Sequence, residues 1–171
     1  MIFERKTGKS NPILRIDDRL IHGQVAYGWG MRMNLRKIIM ASDKAAADRQ
    51  LKELYQSLIP PEIEGKVLSL QETLDFVRER TDLQKIMIVV ELPDDAVKLI
   101  EGGLKTNKII IGGLHHREGC KAVLPYVYLN EDFAKSLQML REQGLKIVCQ
   151  DLPTSSEKEL TDKHLDQFNN S

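Results

Sequence analysis

Short apolar runs that alternate with helix and turn signals set the strongest limit on how this chain can fold. The runs cover residues 13–16, 37–41, 67–70, 86–90, 109–111 and 145–149. Each is too short for a buried helix, and most are rich in Ile, Val or Leu, as suits strands covered on both faces. Ala47, Leu51, Leu54, Tyr55 and Leu58 fall on one face of a helix that Pro60-Pro61 ends. Ser69 and Glu72 have capping-box spacing, so a helix is expected to about residue 80. Pro93 suits a first helical turn, Asp94 and Asp95 complement its dipole, and Gly102-Gly103 stop it. Asn130 opens a last long helix with Phe133, Ala134, Leu137 and Leu140 inward, ended by Gly144. Residues 24–33 can form another, weakened by Gly28 and Gly30. Strand and helix in alternation imply parallel pairing through crossover helices, hence a single α/β domain. Residues 12–153 are taken as that domain, 1–11 as a flexible leader, and 154–171 as a polar tail that frays or forms a short helix.

The 171 residues carry 25 Lys+Arg and 25 Asp+Glu, so formal net charge is zero. No broad basic surface is implied, which argues against a nucleic-acid or anionic-membrane binder. Cys120 and Cys149 lack metal-ligand spacing and read as small buried residues in a reducing cytosol. No apolar stretch approaches the roughly 20 residues of a membrane span. The chain is expected to be cytoplasmic.

The segment Arg15-Ile-Asp-Asp-Arg-Leu-Ile-His22-Gly-Gln-Val gathers charged groups where the first strand leads into a helical run. Helix starts offer unpaired N–H groups to a dianion, and guanidiniums grip phosphate oxygens by paired hydrogen bonds. Among them stands His22, whose neutral ring is nucleophilic near pH 7. It is read as a phosphoryl acceptor. Arg19 and Arg15 are read as charge clamps, Arg19 favoured because a strand arginine has Asp17 or Asp18 to pair with. One aspartate would accept the imidazole N–H and set its tautomer, the other cap the loop or neutralise an arginine; which does which stays open. Gly23 would let backbone approach a phosphate, or serve turn geometry alone, and Gln24 would point an amide at it. Ser42-Asp43, Glu91 and Gly112-Gly113 lie at other strand exits, where ligands gather in such sheets. A dinucleotide site is disfavoured because no G-x-G-x-x-G follows the first strand.

This segment, with KIIMASDKAAAD (37–48), the proline pair 60–61, LIEGG (99–103), KIIIGG (108–113) and EDFAKSLQMLREQGLKI (131–147), resembles the enzyme IIB component of the mannose/fructose/sorbose family of the bacterial phosphoenolpyruvate-dependent sugar phosphotransferase system. The resemblance runs from about residue 13 to 153. It implies an open, mostly parallel twisted sheet with helices on both faces, doubly wound and Rossmann-like. It further implies that His22 takes a phosphoryl group at Nδ1 from a phosphorylated IIA domain and passes it to a sugar during uptake by membrane IIC/IID components. No metal or other cofactor is implied. A homodimer is left open. The family carries an aspartate where Asp43 stands, which makes Asp43 a supporting residue around the site. Two features depart from the family pattern: Glu91-Leu92 precedes Pro93 where a Thr-Asn pair is usual, and Leu114-His115-His116-Arg117 follows the glycine pair. They motivate the alternative of a phosphorylation-sensing regulatory module. A metal site at the histidine pair is disfavoured, since adjacent residues rarely chelate one ion; a loop at the mouth touching a protein partner is preferred.

Overall fold

The computed structural model describes residues 10–168. Strands β1 (Ile13–Asp17), β2 (Lys37–Ala41), β3 (Glu64–Leu68), β4 (Ile86–Val90), β5 (Lys108–Gly113), β6 (Lys121–Leu124), β7 (Val127–Leu129), β8 (Lys146–Cys149) and β9 (Lys158–Glu159) follow one another along the chain. The helices are α1 (Asp43–Ala47), α2 (Arg49–Ser57), α3 (Leu70–Arg78), α4 (Pro93–Glu101), α5 (Glu131–Glu142) and α6 (Asp162–Leu165). A π-helix, Gln24–Met31, follows β1, and a 3-10 turn, Asp166–Phe168, follows α6.

Every residue of β4 is buried, which places this run inside the sheet. The sheet has seven strands in the order β3-β2-β4-β1-β5-β8-β9, all parallel except β9. Chain order reverses across β1, so its carboxyl end lies at a topological switch point. Alternate residues of each strand supply the two cores. Leu14, Ile16, Ile88, Val90, Ile109 and Ile111 pack beneath α3, α4 and α5. Ile38, Met40, Met87, Val89, Ile110 and Val148 pack with Val25 and Trp29 of the π-helix on the opposite face. Helices therefore cover both faces, as expected.

The capping box of α3 forms with both bonds, and Asn130 Oδ1 accepts from Phe133 N at 2.8 Å to open α5. The helix expected from the 47–58 spacing divides at Asp48, whose carboxylate accepts from Gln50 N and Leu51 N and restarts it. Its apolar face is shallow: Leu54 and Leu58 stay exposed. β5 is not closed by Gly112-Gly113 but runs through them.

The segment after 154 departs most from expectation. A short helix does form, but the segment is docked. β9 pairs antiparallel with β8, and Leu160 and Leu165 are buried against the core. Of the expected leader, residues 1–9 lie outside the described residues. Ser10 bridges to Asp82, and Asn11 Nδ2 donates to Asn107 Oδ1 at 3.0 Å. Among the described residues no helix is long and apolar enough to cross a membrane.

Candidate active site

At the carboxyl end of β1 the Asp17 side chain, with no solvent exposure, collects four donors. Oδ2 accepts from Arg15 Nη2 at 3.0 Å and lies 2.9 Å from His22 Nε2. Oδ1 accepts from the Arg19 backbone N–H at 3.2 Å and from Arg19 Nε at 3.4 Å. Burial works hardest against the charge on Asp17, yet the hydrogen bond from His22 and the charge of Arg15 outweigh it and hold the carboxyl below its usual range. Of the two aspartates, Asp17 is the one that orients the imidazole.

A tight turn makes this possible. Leu20 N donates to Asp17 O at 2.9 Å, and Leu20 itself adopts φ +57°, a left-handed conformation unusual for a branched apolar residue. The strain, of order 1–2 kcal/mol, is held by burial of Leu20 and Ile21 in the core beneath the π-helix. The chain thereby doubles back and sets His22 under Asp17. His22 O accepts from Ala26 N at 2.9 Å, so the ring sits at the amino end of the helical run.

With a carboxylate at Nε2, that nitrogen carries the proton and Nδ1 keeps its lone pair. Among the described residues only the Gln24 backbone N–H approaches Nδ1, at a long 3.4 Å. The ring is partly exposed, 19 %, so an incoming group can reach it. Gly23 has φ −54°, which any residue adopts, and nothing lies within 4 Å of where its Cβ would stand. Turn geometry therefore does not require this glycine; open space beside His22 is what it leaves. The Gln24 side chain is turned aside, its Oε1 accepting from Arg19 Nη2 at 2.9 Å. Arg19 is tethered over the site at both ends, yet its side chain remains 40 % exposed.

Arg15 is a correction to the expected clamp. Its guanidinium is fully buried, donates to the carbonyls of Gln150 and Asp151 at 3.1 Å each, and lies 5.3 Å from the Trp29 ring centroid. It has no route to a phosphate in solvent and acts by holding Asp17. Burial lowers its affinity for its proton, and the Asp17 charge opposes that shift. A Cβ on Gly112 would overlap the Arg15 guanidinium, so the glycine pair of β5 makes room for this group. Trp29 Nε1 donates to the Asp151 carbonyl at 2.7 Å, which completes the cage. Sequence reading missed Gln150, Asp151 and Trp29 as parts of the site, and placed Gly112 at a strand exit beside it without the role of making room for Arg15. Only the glycine pair carried a local signal.

Asp18 serves the opposite wall. Its carboxylate accepts from His115 N at 2.7 Å and meets His115 Nδ1 at 2.6 Å, with Arg117 Nη2 at 3.6 Å. The expected mouth loop is therefore fastened to the strand that bears the site. Asp43 is exposed, and its Oδ1 accepts from Leu70 N at 2.9 Å at the start of α3. It makes no hydrogen bond to His22, Arg19 or Asp17, so the supporting role expected of it is not realised by contact. Glu91 is half-buried; its charge, after burial and Asp94, helps to raise Asp95 above the usual carboxyl range. Among the described residues no three His, Cys, Asp or Glu side chains gather as a metal set.

A family model described as PTS system sorbose subfamily IIB component matches residues 12–170. The chain belongs to that family. Among relatives of this IIB chain, the mannose-specific EIIAB component of Escherichia coli (strain K12) is 30% identical over 151 residues, 88% of this chain and 47% of that protein. The chain thus spans about half the length of these mannose-specific relatives. The N-acetylgalactosamine-specific phosphotransferase enzyme IIB component 2 of the same strain is 29% identical, covering 82% of this chain and 89% of that one. The fructose-specific EIIB component of Bacillus subtilis (strain 168) is 28% identical, covering 86% and 91%. Among solved structures, the N-acetyl-galactosamine IIB component of Streptococcus pyogenes superposes with a TM-score of 0.81 at 27% identity, covering 89% of this chain and 95% of that one. The IIB domain of the sorbose permease of Klebsiella pneumoniae gives a TM-score of 0.80 at 25% identity, covering 90% and 95%.

Proposed function

We propose that this IIB chain is a phosphohistidine carrier in the cytoplasm. It accepts a phosphoryl group on Nδ1 of His22 from a phosphorylated IIA domain. It passes that group to a sugar of the mannose, fructose or sorbose class entering through the IIC and IID membrane components. One observation carries the reading: Asp17 occupies Nε2, so the lone pair of a partly exposed ring lies on the outward nitrogen, Nδ1, held there by no more than the long Gln24 N–H contact among the described residues.

In the first transfer the Nδ1 lone pair forms a bond to phosphorus while the donor's P–N bond breaks. Positive charge that grows on the ring is balanced by Asp17 through Nε2–H. The Arg19 charge neutralises the phosphoryl oxygens and the backbone N–H of Gln24 donates a hydrogen bond to them, which is most of what such a transfer asks of a protein. In the second transfer a sugar hydroxyl oxygen attacks phosphorus and the P–Nδ1 electron pair returns to the ring. No cofactor enters either step, because the phosphohistidine itself stores the transfer potential.

The test is incubation with phosphoenolpyruvate, the general phosphotransfer proteins and a IIA partner, followed by mapping of the labelled residue. Acid-labile label on His22, absent from a folded His22→Gln variant, is the expected result. Label retained in that variant removes His22 from the mechanism.

A further inference from the structure

We infer that His115 is the base for the second transfer, taking the proton from the sugar hydroxyl as it attacks phospho-His22. The inference rests on the carrier role proposed for His22. Two histidines hang from neighbouring carboxylates at the end of β1: His22 from Asp17 and His115 from Asp18. They differ in orientation. His22 turns Nε2 inward to its aspartate, whereas His115 turns Nδ1 inward and leaves Nε2 outward.

The placement of His115 is a built one. Asp18 holds it by ring and backbone at once, and Asp18 is itself almost fully covered, with 6 % side-chain exposure. The His115 ring lies on Gly113, where a Cβ would stand 2.7 Å from Cε1, and Gly113 is the β5 partner of Asp17. Nε2 makes no hydrogen bond among the described residues, and the side chain is 44 % exposed. A carboxylate on one ring nitrogen and a free lone pair on the other is the arrangement that lets an imidazole take a proton from a hydroxyl.

The two half-reactions differ in their need for such a group. Transfer between phosphohistidine and histidine moves no hydroxyl proton. Transfer to a sugar does: the O–P bond forms, the P–Nδ1 bond breaks with its pair returning to His22, and the hydroxyl proton passes to His115 Nε2. Water removes it once the sugar phosphate leaves.

The experiment measures the two half-reactions separately. Labelling of His22 by phosphorylated IIA is followed first. The phosphorylated chain is then given to inside-out vesicles carrying a cognate IIC/IID pair, with mannose, fructose and sorbose as probes. His115→Ala should slow sugar phosphate formation by about 100-fold or more while labelling changes little, and added imidazole should restore part of the rate. His115→Gln, whose amide can still bond Asp18 but has no basic nitrogen, should fail likewise and guards against loss of loop structure. His116→Gln in the same loop should behave as wild type. Sugar transfer unchanged in both His115 variants, an equal fall in the two half-reactions, or no rescue by imidazole overturns the assignment. A wild-type chain that takes no label at His22 overturns instead the carrier role beneath it.

Discussion

Arg15 and Asp17 meet at 3.0 Å with no solvent exposure on either side chain, two residues apart on the strand that ends at the site. The pair shares one side of β1 because alternate strand residues point the same way. Its consequence is rigidity where His22 needs a fixed partner. Removing the cation strands a buried carboxylate. Arg15→Met should therefore lower unfolding free energy by about 3–5 kcal/mol, measured by urea denaturation at pH 7. Arg15→Lys should recover only part of this, since one ammonium cannot reach Asp17 and two carbonyls in the guanidinium's planar pattern. A Met variant as stable as wild type would make the pair incidental.

Asp17→Asn keeps size and removes the charge that fixes the ring. Labelling of His22 by phosphorylated IIA should slow by a factor on the order of 10²–10⁴, as expected when an imidazole loses its orienting carboxylate. Stopped-flow or quench measurement of the single transfer checks this, and a rate equal to wild type would remove Asp17 from the chemistry.

Acid stability follows from the same carboxyl. Asp17 is held below its usual range in the folded chain, so the folded state binds its proton less readily than the unfolded state does. Its contribution is fully present above the ordinary carboxyl value of about 4 and is lost as pH falls through the lowered folded value. Asp95 has the opposite sign: burial, then the charges of Asp94 and Glu91, raise it against the pull of Lys98. Its ionised form therefore costs stability at neutral pH. Unfolding free energies at pH 7 and pH 3 should converge more in Asp17→Asn than in wild type, and Asp95→Asn should not weaken the protein at pH 7.

Two glycines separate the roles that small residues play here. Gly112→Ala places a methyl on the Arg15 guanidinium and should cost more than the roughly 1–3 kcal/mol of ordinary overpacking, because a charged cage must shift. Gly23→Ala meets no atom within 4 Å at a backbone angle alanine accepts. Its unfolding free energy should stay level or rise slightly, by about 0.4–1 kcal/mol from lost unfolded-state freedom, with the melting temperature following. Thermal melts of the two variants side by side test the contrast.

Strands β2 and β4 and helix α4 begin and end where their residues alone place them, because apolar runs, a proline start and a glycine stop are local signals. β3 begins earlier than its apolar residues suggest, since the ladder with β2 carries Glu64, Gly65 and Lys66 whatever their side chains. At the site, the residue types of the Arg15–Gln24 segment reveal anion and phosphoryl chemistry, but not which way each side chain turns. Arg15 was the residue most misread. A strand buried on both faces shows no alternation of polar and apolar positions, so nothing local marks one guanidinium as interior. The partners that decide it, Gln150 and Asp151, lie 135 and 136 residues away. Asp18 and His115 are likewise 97 residues apart, a distance only the pairing of β1 with β5 closes.

The ribbon Lys158–Glu159 caps the outer hydrogen-bonding row of β8. An uncapped row of amides and carbonyls on a flat apolar strand recruits strands from other molecules, and a two-residue, doubly charged cover is a poor template in its turn. Trimming the chain before residue 158 would therefore expose a sticky border, and the first symptom should be clumping during purification rather than loss of the pocket chemistry.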